Sequence, residues 1–171
     1  MSSGQFYTNA VGWAFLNGIV NGTDDTSYTP GARVTRAAFA TMLHRMLCLP
    51  APSGEAPFTD VVAGSYYETA VDWLWSNGFT LGKPGNVYDP HGNLTRGELA
   101  TFLFRLLGAP AGAPANPFGD VDRSLFYAEP IDWLFARGIT TGTTTSTLSP
   151  NDTVTRAQAI TFLYRLNIGA A

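Results

Sequence analysis

The stretch LTRGELATFLFR, from Leu94 to Arg105, decides the architecture, because the chain writes it three times. Residues 34–45 read VTRAAFATMLHR and residues 154–165 read VTRAQAITFLYR, so Arg36, Arg96 and Arg156 stand at a constant spacing of 60. Behind each Thr-Arg pair runs an apolar pattern at i, i+3, i+4, i+7. In the middle copy it comprises Leu99, Phe102, Leu103 and Leu106, the period of one helix face. Thr35, Thr95 and Thr155 are the predicted N-caps. Thr95 with Glu98, and Thr155 with Gln158, have the spacing of a capping box, which Ala38 interrupts in the first copy.

Outward from this stretch the same offset links Tyr7, Tyr67 and Tyr127; Trp13, Trp73 and Trp133; Gly18, Gly78 and Gly138; Gly22, Gly82 and Gly142; Pro30, Pro90 and Pro150; and Arg45, Arg105 and Arg165. An earlier helix is predicted around residues 66–77, where Tyr67, Ala70, Val71 and Leu74 form one stripe. Gly18, Gly78 and Gly138 end these helices at left-handed caps, and Pro130 predicts a late start in the third copy. Between the copies lie LPAPSGEAP (49–57) and GAPAGAPANP (108–117), linker compositions. The repeats are therefore 1–50, 51–110 and 111–171. Each linker runs into a Phe-x-Asp-Val segment at Phe58–Val61 or Phe118–Val121, whose first-repeat equivalent would fall before Met1. Repeat 1 is expected to be truncated, and the chain to be a piece of a larger exported protein. The expected class is all-α, three tandem helix-loop-helix units of about 60 residues. One such unit is marginal alone, so the three should share a central core.

Composition narrows function. The 171 residues carry a net charge of -3, with no basic excess for nucleic acid. Hydrophobic residues make up 45% and charged residues 13%, a globular balance. No apolar run approaches the ~20 residues of a membrane-spanning helix, so no membrane insertion is expected. The single cysteine, Cys48, excludes an internal disulfide and reads as a small helix residue.

Taken in order, Phe-x-Asp-Val, Tyr-x-x-Ala-Val/Ile-x-Trp, Gly-Ile/Phe-x-x-Gly, aromatic-x-Pro, Val/Leu-Thr-Arg and Leu-x-Arg resemble the S-layer homology domain in three tandem copies. The resemblance covers nearly the whole chain. It implies a pseudo-threefold arrangement with grooves between neighbouring units, and non-covalent anchoring of an exported protein at a bacterial cell surface. The partner it implies is a secondary cell-wall polysaccharide, often bearing a pyruvyl ketal, bound by a monomer without a cofactor or metal. In that family the second helix usually begins Thr-Arg-Ala-Glu and its arginine contacts ligand, with groove aromatics and the glycine loop taking part. Here the motif reads TRAA, TRGE and TRAQ, keeping the acid only as Glu98.

The residues support binding on their own terms. An arginine at the first helical position faces the positive end of the helix dipole, an unfavourable placement made three times. Beside unsatisfied helix-start N–H groups its fork would take a carboxylate; the alternative is a salt bridge to Asp60 or Asp120. Arg45, Arg105 and Arg165, near the helix C-terminus, read as structural. Trp13, Trp73 and Trp133 are placed at the core edge, where they either stack on a sugar or complete the core. Gly22, Gly82 and Gly142 either offer loop N–H groups to sugar oxygens or simply permit a turn. Lys83 would attract an anionic polymer, and with Glu98 makes the second repeat the best-equipped set. Asp24 and Asp25 lack the ladder of a calcium loop. His44 and His91 have no metal spacing, and the Glu68/Asp72 pair has no counterpart in repeat 1. A binding module is therefore expected rather than an enzyme. The competing readings are a surface-layer assembly module and a peptidoglycan binder.

Overall fold

The computed structural model describes residues 5–24 and 26–169, so Asp25 lies outside the described residues. They form six helices: α1 (Thr8–Leu16), α2 (Arg36–Met46), α3 (Glu68–Ser76), α4 (Arg96–Leu106), α5 (Ala128–Ala136) and α6 (Arg156–Gly169). Among the described residues there is no sheet, only isolated bridges, and the chain is all-α.

Local chemistry explains where the helices start and stop. The Thr35, Thr95 and Thr155 hydroxyls each accept the third helical amide, and the side chains of Glu98 and Gln158 reach back to the cap N–H at 2.9 and 3.0 Å. Gly18, Gly78 and Gly138 follow α1, α3 and α5 with φ of +67°, +73° and +68°, the left-handed region glycine enters without strain. The expected late start at Pro130 does not occur: α5 begins at Ala128, in register with α3 at Glu68. Pro130 is the third helical residue, and the first intrahelical amide belongs to Ile131, bonded to the Tyr127 carbonyl. The missing N–H therefore had no acceptor to lose. Cys48 also departs from expectation, lying exposed past the end of α2 with φ +63°.

Packing closes the repeats into a ring. Each second helix packs on the first helix of another repeat: α2 on α3, α4 on α5, and α6 on α1. At the centre three backbone bonds run head to tail, from Val34 N to Val154 O, Val154 N to Leu94 O and Leu94 N to Val34 O, at 2.8–3.0 Å. Val34, Leu94 and Val154 are at most 1% exposed. The stripe of Tyr67, Ala70, Val71 and Leu74 is buried as its spacing predicts.

Candidate functional site

The ring geometry first disposes of the helix-start amides. Arg36 N donates to Gly92 O and Ala37 N to Pro90 O; Arg96 N donates to Asp152 O and Gly97 N to Pro150 O; Arg156 N donates to Ala32 O and Ala157 N to Pro30 O. The third amide of each helix goes to the capping threonine. The expectation of unsatisfied N–H groups beside the arginines is thus corrected, because a neighbouring repeat supplies their acceptors.

The arginine side chains follow the same ring. Arg36 Nε donates to Tyr88 O at 2.8 Å, Arg96 Nε to Leu148 O at 2.7 Å, and Arg156 Nε to Tyr28 O at 3.0 Å. Asp60 and Asp120 are not their partners. Asp60 accepts the Tyr88 and Asp89 amides, and Asp120 accepts those of Leu148 and Ser149. What remains is the outer edge of each guanidinium, and here the copies differ. Arg36 Nη1 donates to Glu98 Oε1 at 2.8 Å. Arg156 Nη2 donates to Asn21 O at 2.8 Å, its ring neighbour being Tyr28 with the guanidinium 4.5 Å from the centroid. Burial pushes the Tyr28 hydroxyl up to about 12 against the opposing charge of Arg156. Arg96, 6% exposed, has no further acceptor and no carboxylate within 4 Å among the described residues. Burial lowers its pKa, while Asp152 and Asp120 oppose that shift from a distance. It lies 5.5 Å from the Phe162 centroid.

Each outer edge opens into a groove built by all three repeats. The Arg36 groove, about 330 Å³, is walled by Gly82, Lys83 and Glu98, floored by Thr101, Phe102 and Arg105, and rimmed by Phe126. The Arg96 groove, about 410 Å³, has Gly142, Thr143, Gln158, Thr161, Phe162 and Arg165 at the matching positions, with Phe6 on the rim. The Arg156 groove, about 190 Å³, has Gly22, Ala38, Thr41, Met42 and Arg45, with Tyr66 on the rim. A single repeat could not make any of them, since the arginine, floor and rim come from three different units.

The structure thus brings Arg36, Arg96, Arg156, Gly22, Gly82, Gly142, Glu98 and Lys83 to groove walls and leaves out the tryptophans. Trp73 and Trp133 are 5% and 4% exposed, and Trp13 is half-buried. Each tryptophan packs on the second helix of another repeat: Trp73 with His44, Trp133 with Phe104 and Trp13 with Tyr164, ring centroids 5.5–6.0 Å apart. A partner helix covers the edge position that the isolated stripe would expose. The glycine amides are also committed in two copies, Gly82 N and Gly142 N donating to the Thr80 and Thr140 hydroxyls. At Gly82 a Cβ would meet Phe58 Cε1 at 2.3 Å, so the glycine is required by close approach. Lys83 is paired with Asp89, whose carboxyl that ammonium group holds below the ordinary range. Charge at the wall therefore favours the Arg96 groove over the Lys83-bearing one, a different ranking from that of the repeat sequences.

Three sets were missed at the sequence level. Arg45, Arg105 and Arg165 line the grooves. Thr41, Thr101 and Thr161 share the floors, each donating to the carbonyl four residues back. Phe6, Tyr66 and Phe126 form the rims at 61–67% exposure, and their 60-residue spacing was the available signal. The carboxylates that could suggest hydrolysis hold backbone instead: Glu68 accepts Gly64 N, and Asp72 accepts Ala56 N. His44 is buried with Nε2 2.8 Å from Pro50 O.

Comparison with known proteins follows the same outline. The profile of the S-layer homology domain matches residues 1–40, 57–100 and 117–160. An S-layer protein of Bacillus thuringiensis subsp. finitimus is 30% identical over 91% of this chain and 19% of its own length. The S-layer protein sap of Bacillus anthracis is 29% identical over the same shares. An amylopullulanase of Thermoanaerobacterium thermosulfurigenes is 30% identical over 86% of this chain and 8% of its own. The chain thus spans less than a fifth of the length of these relatives.

Proposed function

The chain belongs to the S-layer homology domain family, and from that premise we propose that it is a cell-wall anchoring module of the bacterial surface. It binds a carboxylate-bearing secondary cell-wall polysaccharide, such as a pyruvylated one, in its inter-repeat grooves. One observation carries the reading: the Arg96 guanidinium is held in place by Leu148 O, rests on Phe162, has no carboxylate partner among the described residues, and borders an open cavity of about 410 Å³. A fixed, desolvated, unneutralised fork is what bidentate recognition of a carboxylate needs. Arg165 adds a second cation, while Phe6, 65% exposed on the rim, offers a ring face to a sugar.

The Arg36 groove holds the same parts with its arginine already paired to Glu98, and the Arg156 groove is smaller. Weak sites on one rigid ring gain avidity toward a repeating polymer. The relatives' names fit this role: an anchoring module serves an S-layer protein and an amylopullulanase alike, and it acts here as a monomer without cofactor, metal or catalysis of its own.

Co-sedimentation with bacterial cell walls, intact and after acid extraction of secondary polymers, tests the proposal. Binding that disappears on extraction and weakens in Arg96→Ala supports it. Binding that survives extraction assigns the ligand to peptidoglycan. Absence of binding to walls that retain the polymer leaves protein assembly as the function.

A further inference from the structure

The groove at Arg96 does not end at Gln158. A second cavity of about 250 Å³ shares Arg96, Thr143 and Gln158 with it and continues past them to Arg33, Asp152 and Thr155. The two chambers meet at the Arg96 side chain, which is 6% exposed, gives one N–H to Leu148 O, and has no acceptor for its outer edge among the described residues.

Closure of the ring is what brings Arg33 there from repeat 1. Its backbone bridges Thr155 at the start of α6, as Asn93 bridges Thr35 at the start of α2 and Thr153 bridges Thr95 at the start of α4. Those three helices wall the Arg96, Arg156 and Arg36 grooves respectively. One structural position therefore flanks every groove, and it holds Arg, Asn and Thr in turn. The bridge needs no charge, since two copies close it with a neutral residue. Arg33 Nη1 donates to Thr153 O at 2.8 Å, and the preceding carbonyl, Asp152 O, accepts the Arg96 amide at 3.0 Å. Consecutive carbonyls of repeat 3 thus fix both arginines at one chamber. Among the described residues no carboxylate oxygen lies within 4 Å of either guanidinium, Asp152 included. Two cations against the single acid Asp152 leave the chamber with a positive balance, which attracts an anion.

We propose that Arg33 is a specificity-determining residue that turns the Arg96 groove into a two-anion site. The occupant is an acidic saccharide with anionic groups on successive residues, one on Arg96 and the next on Arg33. Asp152 and the Thr143 hydroxyl meet the sugar hydroxyls between them. The Arg36 and Arg156 grooves, with Thr153 and Asn93 in this position, lack the second cation. The proposal rests on the reading of Arg96 as a carboxylate receptor and adds a second subsite to it.

The test is NMR of the arginine Nε–H resonances during titration, at constant ionic strength, with the dicarboxylates succinate, glutarate and adipate and with butyrate as the single-charge probe. The Arg33 and Arg96 signals should move together and saturate at one concentration for at least one dicarboxylate, which binds about tenfold more tightly than butyrate, the worth of one further charge-assisted pair. Arg33→Gln removes an exposed charge without touching the core. It should abolish that advantage and weaken co-sedimentation with intact cell walls several-fold. Arg137→Gln, which removes the same charge from an exposed position at the end of α5, should change neither. Movement of Arg96 alone, with no dicarboxylate tighter than butyrate, overturns the second subsite and leaves the one-carboxylate reading of the groove standing. A silent Arg96 removes both. Wall binding by Arg33→Gln equal to that of the unaltered chain also overturns the proposal.

Discussion

Exchanging the acid between two grooves should exchange their affinities. Glu98 holds Arg36 at 2.8 Å with side-chain exposures of 5% and 18%, whereas the neutral Gln158 occupies the same capping-box position beside Arg96. Two unit charges ~4 Å apart attract by ~4 kcal/mol at an effective dielectric of ~20. Desolvation of the pair offsets most of that, leaving roughly 1–2 kcal/mol that an incoming carboxylate must overcome. Gln158→Glu keeps the bond to Thr155 N, places a carboxylate against Arg96, and should weaken binding in that groove about tenfold. Glu98→Gln keeps its cap, frees Arg36, and should strengthen binding in the other groove by a similar factor, roughly tenfold. Calorimetric titration with a pyruvylated wall saccharide measures both. Weaker binding in Glu98→Gln would mean that Glu98 itself contacts the sugar, and an unchanged Gln158→Glu would refute the account of Arg96 as the carboxylate receptor.

Other consequences concern the scaffold. Asp120→Ala removes the acceptor of two turn amides, that of Leu148 part-buried and that of Ser149 exposed, and should lower stability by about 1–2 kcal/mol, read from the urea midpoint. Gly82→Ala puts a Cβ within 2.3 Å of Phe58 at φ +68° and should cost at least ~2 kcal/mol in the same assay. Burial alone would raise the Asp132 carboxyl, but the Arg123 guanidinium and the Asn116 backbone and side-chain N–H groups outweigh it and hold the group below the ordinary carboxylate range. A carboxyl depressed in the folded state contributes stability that is full above about pH 4 and lost as pH falls through the depressed value. Asp132→Asn should flatten that acid-side slope in denaturation midpoints taken from neutral pH downward.

The local part of this structure was legible in the sequence, and the closure of the ring was not. Thr95 with Glu98 announced a capping box, and Gly78 a left-handed cap, because each involves residues a few positions apart. The acceptor of the Arg36 amide is Gly92, in another repeat, and nothing within residues 36–46 encodes it. The same non-locality misled the reading of Trp73, which faces outward on its own helix until α2 brings His44 over it. Charge compensation was hidden for a related reason. Glu98 sits beside Arg96 in sequence but neutralises Arg36 in space, so the TRGE copy, best equipped on paper, surrenders its acid to the neighbouring arginine. The rim residues Phe6, Tyr66 and Phe126 carried the repeat spacing but sit beside the stronger Tyr7, Tyr67 and Tyr127 signal.

The most direct test of groove binding is NMR mapping of arginine Nε–H resonances during titration with a pyruvylated saccharide. The Arg96 signal should move first and saturate, with Phe162 ring protons shifting alongside and the Trp73 and Trp133 indoles unaffected. Movement of the indoles with a silent Arg96 would place the ligand on the helix interfaces and contradict the account.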